Sequence, residues 1–320
     1  MTSKLILLIL TVASVFSGQS RQTVDIYEHK EANNTRILHL GDIMLGRHVG
    51  ARIAENKDPF LFVHKELSLF DAVIGNLEGP ITDTESCQKK PYSFKFATTT
   101  ASLLAHHNIH GVSLANNHSY DCFSRGLIDT RAYLAEENIF YFGGGGLKDS
   151  YASVNIQGKD IVFMGIDRSI GDIAIKDLYA QVEEIVPEHN FIIVYIHWGN
   201  EYEIEYSEEQ QIIAHNLIDK GVDVIIGHHP HVMQPAEIYK GKPVFYSLGN
   251  FIFDQNEEET TKGYAVSMTF LEKDIAWEVK PYGIIHTRPA FLRGKTRDLV
   301  CDRILVDVEE REGCVFEVSI

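Results

Sequence analysis

The chain has 320 residues, 44% hydrophobic and 23% charged, a balance typical of a globular protein that buries a substantial core in one large or two ordinary domains. Its formal net charge of −16 excludes broad binding to nucleic acids or anionic membranes, because phosphate groups are held by clustered lysine and arginine. A polyanionic ligand would therefore need a local basic patch or a metal ion.

The N-terminus has the pattern of an export signal. Lys4 precedes an apolar run, residues 5–16, and small residues near Ser17 suit cleavage. The run is shorter than the roughly 20 residues that span a bilayer. We therefore predict a signal peptide over residues 1–18 and an extracytoplasmic protein, with an uncleaved anchor as the alternative. The polar residues 19–35 are expected to form a flexible arm before the folded domain.

Export permits disulfide bonds, and the four cysteines allow three pairings. Cys301 and Cys314 flank a short, acidic, hairpin-like segment, which favours that pair. None of the cysteines has the spacing of a zinc finger.

Two predicted strands near the start of the domain are followed by acidic residues. Residues 37–40 lead into Asp42, which either presents a carboxylate at the sheet edge or caps the following helix. Residues 72–75 form the second strand, and Glu78 lies just beyond it. Carboxylates at the carboxyl ends of neighbouring strands are candidates for a ligand site.

A third predicted strand, residues 111–115, also ends in polar residues. Asn117 offers a neutral oxygen ligand. His118, with Asp121 three residues further on, could donate a proton to a leaving group. A helix is predicted over residues 124–137.

Basic residues occur close to these strand ends. The loop after the second strand carries Lys89, Lys90 and Lys95 among aromatic residues, and the helix carries Arg125. They are either ordinary solvated side chains or part of a lip that binds an anion over the site.

The segment from residue 190 to 254 predicts a βαβ unit. An apolar run at residues 191–196 ends in His197, a helix is predicted over 207–220, and a second apolar run covers 222–226. The two strands should be parallel neighbours, with ligands bound at their carboxyl ends. A lone histidine usually caps, packs or faces solvent, but histidines gathered with carboxylates suit zinc, manganese or iron. The histidines after the second run are His229 and His231.

Strands without an identifiable chemical motif complete the chain. Hairpins are predicted at 152–165 and 238–245, and Asn250 returns a polar group to the same sheet edge. Residues 256–320 are expected to form a β-rich extension that packs on the main domain. Its predicted strands are 263–271, 275–280 and 303–308.

Six ordered sequence blocks resemble the CapA family of poly-γ-glutamate capsule proteins and, more distantly, the calcineurin-like metallophosphoesterase superfamily. The resemblance covers residues 36–255, taken as a single domain. The blocks are GDIMLGR (41–47), GNLEGPITD (75–83), SLANNHSYD (113–121), HWGNEY (197–202), GHHPHV (227–232) and YSLGNFIFD (246–254).

The resemblance implies an α/β fold, a four-layer metallophosphoesterase-like sandwich of two mixed β-sheets flanked by helices. It also implies one or two divalent metal ions (Mn, Zn or Fe). His118, steered by Asp121, would be the proton donor. The chain departs from the superfamily pattern at Met44, where a histidine is usual, and at Asn76, where an aspartate is usual. Glu78 is the candidate to replace that aspartate as the carboxylate that bridges the metal ions. The implied ligands are Asp42 and His231 for a first ion, and Asn117, His197 and His229 for a second.

Three functions follow as alternatives. The first is metal-assisted hydrolysis or transfer in the synthesis, export or trimming of poly-γ-glutamate, with a membrane synthase complex as partner. The second is a general metal-dependent phosphoesterase acting on a phosphoester substrate, and the third is a subunit that binds or assembles the polymer without catalysis. In the first, Lys95, Arg125 and Asn250 would bind the anionic polymer.

Overall fold

The computed structural model describes residues 23–26, 34–145, 150–169, 175–188 and 191–319. The predicted signal peptide, residues 1–18, lies outside this part. Among the described residues, no helix has the length and apolar character needed to cross a membrane.

Helices and strands alternate along the described chain. The helices are α1 (Arg47–Ala54), α2 (His64–Leu67), α3 (Thr100–His106), α4 (Phe123–Glu136), α5 (Ile175–Ile185), α6 (Glu208–Asp219) and α7 (Gly294–Ile304). The strands are β1 (Thr23–Ile26), β2 (Arg36–Ile43), β3 (Ala72–Leu77), β4 (Gly111–Ser113), β5 (Phe140–Phe142), β6 (Tyr151–Ile156), β7 (Lys159–Asp167), β8 (Ile192–His197), β9 (Val224–His228), β10 (Met233–Tyr239), β11 (Lys242–Leu248), β12 (Asn250–Ile252), β13 (Lys262–Phe270), β14 (Asp274–Ile285), β15 (Arg288–Phe291) and β16 (Val315–Ser319).

The described strands form two mixed sheets. The seven-stranded sheet has the order β1-β6-β7-β8-β9-β11-β10, and its central strands β7, β8, β9 and β11 are parallel. The nine-stranded sheet has the order β15-β14-β13-β2-β3-β4-β5, with β12 paired to β2 and β16 to β14. Its half from β2 to β5 is parallel and its half from β13 to β15 is antiparallel.

Three apolar cores separate four layers. Side chains of both sheets meet in the central core, where Ile74 and Phe142 of one sheet pack with Phe163, Tyr195 and Phe245 of the other. The second core lies between the nine-stranded sheet and helices α1 to α4. The third lies between the seven-stranded sheet and helices α5 and α6. The predicted α/β fold, two mixed sheets flanked by helices, is confirmed.

The alternation of side chains along β8 shows why its sequence is a continuous apolar run. Ile193 and Tyr195 face the central core, whereas Ile192, Val194 and Ile196 face the helices α5 and α6. A parallel strand buried on both faces needs apolar residues at every position.

The predicted βαβ unit is confirmed. Strands β8 and β9 pair in parallel, with Ile193 opposite Val224. Helix α6 begins after Ser207, whose hydroxyl accepts a hydrogen bond from the backbone N–H of Gln210 while the Gln210 side chain accepts one from the Ser207 backbone. This capping box fixes the start of α6.

Three expectations for the flanking regions need correction. Residues 23–26, within the expected flexible arm, form β1 and pair in parallel with β6. The strand predicted at 303–308 is wrong, because α7 ends at Ile304 and a turn follows. Buried residues recur there with the spacing i, i+3, i+4 and i+7, which is the period of a helix and not of a strand. They are Cys301, Ile304, Leu305 and Val308.

The C-terminal residues are part of the main sheet and not an added layer. Strand β13 lies beside β2, with Val266 opposite His39, so it occupies the middle of the nine-stranded sheet. The predicted strands 263–271 and 275–280 are confirmed as β13 and part of β14.

Two disulfide bonds join the four cysteines. The favoured Cys301–Cys314 pair is confirmed, and it ties α7 to the segment before β16. The other bond, Cys87–Cys122, ties the loop after β3 to the start of α4.

Candidate active site

Polar side chains from both sheets converge at one edge. Asp42 lies in β2, Glu78 directly follows β3, and His197 ends β8. His231 lies in the turn after β9. All four side chains are buried. The carboxyl ends of the parallel strands therefore meet where the sequence places its candidate ligands.

Close approach of the backbones makes this convergence possible. A Cβ atom on Gly41 would lie 2.0 Å from the Gly249 carbonyl oxygen, and one on Gly227 would lie 1.9 Å from that of Tyr246. In the turn after β9, His229 has a φ of 96° and His231 a φ of 59°. Non-glycine residues held at positive φ store strain and often mark functional sites.

Asp42, Glu78 and His231 form a buried group, hereafter the Asp42–Glu78–His231 cluster. One ligand atom from each lies within 4.8 Å of the others. The Nδ1 atom of His231 is 3.3 Å from Asp42 Oδ2, and its Nε2 atom is 3.5 Å from Glu78 Oε1. Neither oxygen of Glu78 accepts a hydrogen bond within the described part of the chain. A buried carboxylate without such bonds fits a cation, so the cluster could hold a divalent metal ion.

The pKa values in the cluster reflect burial and mutual charge. Burial opposes ionisation of Asp42, but hydrogen bonds from His228 and His231 outweigh it and hold its pKa well below the usual range. Burial raises the pKa of Glu78 to about 8. Burial also opposes protonation of His231, yet Glu78 and Asp42 raise the pKa of that ring to about 9.

A second group contains the other expected ligands. His197 Nε2 lies 3.0 Å from Asn117 Oδ1 and 3.1 Å from His229 Nδ1. Burial lowers the pKa of His197 well below its usual value and that of His229 to about 4, so both rings are neutral at pH 7. Neutral imidazole is the form that binds metals. The three residues that the resemblance assigns to a second ion are therefore in contact with one another.

His118 and Asp121 form a hydrogen-bonded dyad beside the cluster. His118 Nδ1 lies 2.7 Å from Asp121 Oδ2, and His118 Nε2 lies 3.9 Å from Glu78 Oε1. The Phe94 ring stacks on the imidazole with centroids 3.9 Å apart, and the Phe94 backbone N–H donates to Asp121. Burial lowers the pKa of His118, although Asp121 opposes this effect. The ring is therefore held in one orientation.

A cavity of about 390 Å³ is lined in part by His118 of this dyad and by His231. Lys90 is the one lysine or arginine among its described lining residues, and its Nζ atom lies 2.5 Å from Asp121 Oδ1. The described lining consists of Lys90, Pro91, Tyr92, Phe94, Asn117, His118, Glu201, Tyr202, His231, Phe253, Asp254, Gln255, Asn256 and Glu257.

The structure places the three expected substrate-binding residues elsewhere. Lys95 Nζ pairs with Glu85 at 3.0 Å and Arg125 Nε with Asp129 at 2.8 Å, and neither residue lines the cavity. Buried Asn250 accepts a hydrogen bond from His231 Nδ1 at 2.9 Å. Asn250 therefore orients a candidate ligand, and Lys90, not Lys95, is the lysine of this loop that lines the cavity among the described residues.

Sequence reasoning missed the residues that hold Asp42 in place. His228 Nδ1 lies 3.0 Å from Asp42 Oδ1, and Asn76 Nδ2 donates to the same oxygen at 2.8 Å. Asn116 Nδ2 in turn donates to Asn76 Oδ1. The period of two along β9 was a usable signal, because neighbouring residues of a strand face opposite sides and His228 should therefore face the interior.

Fold and site together define an α/β sandwich with a candidate metal centre at the strand ends. The chain belongs to the family of the bacterial capsule synthesis protein PGA_cap, whose sequence model matches residues 36–255.

Two relatives and two solved structures illustrate these similarities. The PGA biosynthesis protein CapA of Bacillus subtilis is 32% identical over 274 residues, which is 78% of this chain and 72% of that protein. The capsule biosynthesis protein CapA of Bacillus anthracis is 31% identical, over 76% of this chain and 65% of that protein. A hypothetical protein from Thermus thermophilus aligns with a TM-score of 0.49 at 16% identity, over 80% of this chain and 96% of its own. Vacuolar protein sorting 29 of Cryptosporidium parvum aligns with a TM-score of 0.38 at 11% identity, over 81% of this chain and 96% of that protein.

Proposed function

We propose that this protein acts outside the cytoplasm in the synthesis, export or trimming of poly-γ-glutamate, through metal-assisted hydrolysis or transfer. Family membership supports the polymer as substrate, and so do the names of the two Bacillus relatives, which refer to capsule and PGA biosynthesis. A membrane synthase complex is the partner we expect for such a role.

The observation that carries the proposed chemistry is the burial of the Glu78 carboxyl group without a hydrogen bond. Its carboxyl group is fully buried, accepts no hydrogen bond within the described residues, and lies beside Asp42 and His231. A carboxylate kept in this setting has little structural use, because burial without a partner is unfavourable. Coordination of a cation would offset that penalty.

The site residues have different proposed roles in binding metal ions and in orienting the ligands. Asp42, Glu78 and His231 would hold one divalent ion, and Asn117, His197 and His229 would hold a second. When bound, such an ion acts as a Lewis acid toward a carbonyl or phosphoryl oxygen. Asn250, His228 and Asn76 keep the ligands oriented.

Proton transfer falls to the His118–Asp121 dyad. Asp121 accepts the Nδ1 hydrogen of His118, which leaves Nε2 available to donate a proton. The Asp121 carboxylate stabilises the protonated ring, which then donates from Nε2 to a leaving group and becomes neutral. Lys90 neutralises part of the charge on Asp121 and is close enough to contact an anionic substrate.

Elemental analysis of protein purified without chelators, combined with two turnover assays, tests this proposal. We expect about one or two equivalents of Mn, Zn or Fe and cleavage of poly-γ-glutamate. Turnover of a generic phosphodiester alone would identify a general phosphoesterase instead. Metal-free protein that binds the polymer without turnover would identify a binding or assembly subunit.

A further inference from the structure

The charges around the cavity do not suit the middle of a polyanion. Three acidic residues line it, against Lys90 alone among the described lysines and arginines. Lys90 is paired with buried Asp121, and Asp254 is paired with Arg47. Glu201 and Glu257 remain, and within the described chain neither forms an ion pair with a lysine or arginine. We refer to these two residues as the acidic rim.

The acidic rim is built around exposed aromatic rings. Glu201 and Glu257 both act on the Tyr202 hydroxyl, whose pKa is raised to about 12 by partial burial first and then by these carboxylates. Tyr202 and Tyr92 line the cavity and are 52% and 65% exposed. The Glu257 carboxylate is held by the Asn256 N–H at 3.2 Å. The Arg47 guanidinium already lies over the Tyr92 ring, 6.0 Å from its centroid. A carboxylate beside an exposed aromatic ring such as Tyr202 is the chemistry that recognises an organic ammonium group.

The buried Glu78 carboxyl group lies behind the lining of the same cavity. Glu78 Oε1, which has no hydrogen-bond partner among the described residues, lies 3.5 Å and 3.9 Å from the two cavity-lining rings of His231 and His118. A metal ion would neutralise this buried group but not the acidic rim. The rim charge therefore remains to be matched by the substrate.

A γ-linked glutamate chain carries an ammonium group in one place only. Every internal residue contributes a carboxylate, whereas the amino-terminal residue has an ammonium and a carboxylate on the same carbon. We infer that the acidic rim binds the ammonium group of the amino-terminal γ-glutamyl residue, so that the site works on the amino end of the polymer. Lys90, which also lines the cavity, can bind the carboxylate of the same amino-terminal residue. This inference rests on the proposed function.

Calorimetric titration with two synthetic ligands tests it. The probes are tetra-γ-glutamate with a free amino end and the same peptide with an acetylated amino end, each added to the protein as purified at low ionic strength. We expect the free peptide to bind about tenfold more tightly, which corresponds to one ammonium contact beside aromatic and acidic groups. Substitution of both Glu201→Gln and Glu257→Gln should bring the ratio close to one.

The double variant Glu203→Gln/Glu205→Gln is the matched control, because it removes the same two charges from exposed neighbours that do not line the cavity. It should leave the affinity ratio unchanged. Equal binding of the two peptides by the unmodified protein would overturn the inference while leaving the polymer role intact. Failure of both peptides to bind would overturn the polymer role and the inference with it.

Discussion

Glu78 shows how one side chain can link the site to the stability of the whole protein. Its pKa is raised from 4.5 to about 8 by burial, and that of His231 is raised from 6.5 to about 9 by Glu78 and Asp42 against the effect of burial. Both groups hold a proton more tightly in the folded protein than in the unfolded chain. Stability from a raised pKa is present below the unfolded value and is lost as the pH rises through the folded value.

The chelator-treated protein should therefore become less stable as the pH rises from 6.5 to 9. Below pH 6.5 the buried histidines with lowered pKa values, such as His229, act in the opposite direction. Thermal melting in a chelator at several pH values measures the slope. Glu78→Gln should flatten it, because that substitution removes one titrating group and the main cause of the raised His231 pKa. Glu136→Gln, on the exposed side of α4, should leave the slope unchanged, and a melting temperature that increases from pH 6.5 to 9 would contradict the expectation.

His118 provides a separate test of catalysis. His118→Asn should lower the turnover rate by about 10²- to 10⁴-fold, since positioned proton transfer contributes that much. Metal content should change little, because His118 is not among the expected ligands. Some stability should be lost, because His118 bonds buried Asp121 and stacks on Phe94. His286→Asn, at an exposed turn with a φ of 50°, is a suitable control. Full activity in the His118 variant would remove the dyad from the mechanism.

At the scale of elements, the two disulfide bonds lie in different settings. Cys87–Cys122 anchors the loop that carries Lys90 and Phe94, and both of these residues contact Asp121. Cys301–Cys314 closes a short loop against the central core, away from the described cavity lining.

Removing each bond should therefore have a different effect. The Cys87→Ser/Cys122→Ser double variant should lose activity, because the loop no longer fixes the dyad. The Cys301→Ser/Cys314→Ser variant should be less stable by about 2–4 kcal/mol with its turnover rate unchanged. Denaturant unfolding and turnover assays on both variants separate the two outcomes. Equal losses of activity would show that the first disulfide has no special role in positioning.

The elements that the sequence predicts well are those with one dominant signal. Strands β3, β8 and β9 each begin with an apolar run, and α6 has a complete capping box at Ser207. Strands β12 and β1 have three and four residues, so neither is long enough to have a pattern of its own. The end of α7 escapes prediction because Ile304, Val306 and Val308 alternate as in a strand, although Val306 is exposed and the buried residues follow the helical period.

The candidate site also has parts that the sequence predicts and parts that it does not. Its candidate ligands were predictable in outline because each lies at or near the end of a strong strand, as Asp42 and His197 do. The orienting contacts of Asn250 and His228 depend on how strands distant in sequence approach one another. Lys95 and Lys90 could not be told apart, because only the folded loop determines which lysine reaches the cavity.

At the scale of the whole molecule, the structural unit is larger than the matched family region. Residues 36–255 include β2, but its neighbour β13 comes from residues 262–270. Val266, Met268 and Trp277 are buried in the central core. Each large apolar side chain of this kind stabilises a fold by about 2–5 kcal/mol, and a typical domain has only about 5–15 kcal/mol in total.

A chain ending at Gln255 should therefore fail to fold. We expect it to be insoluble or to melt without a cooperative transition in calorimetry. A chain ending at Cys314 lacks β16, which pairs with β14, but keeps the Cys301–Cys314 bond, and it should fold with reduced stability. A soluble Gln255-terminated fragment with a sharp transition would show that β13 is dispensable.

The position of β13 also determines when the fold can form. Residues 36–39 pair with residues 266–269, so one side of β2 stays open until residues 266–269 have been made. Contacts between such distant segments make folding slow, since a long loop must close before they stabilise anything. Until then β2 exposes an unpaired edge that can join other chains. The nine-stranded sheet can therefore be completed only after residue 269 has been made.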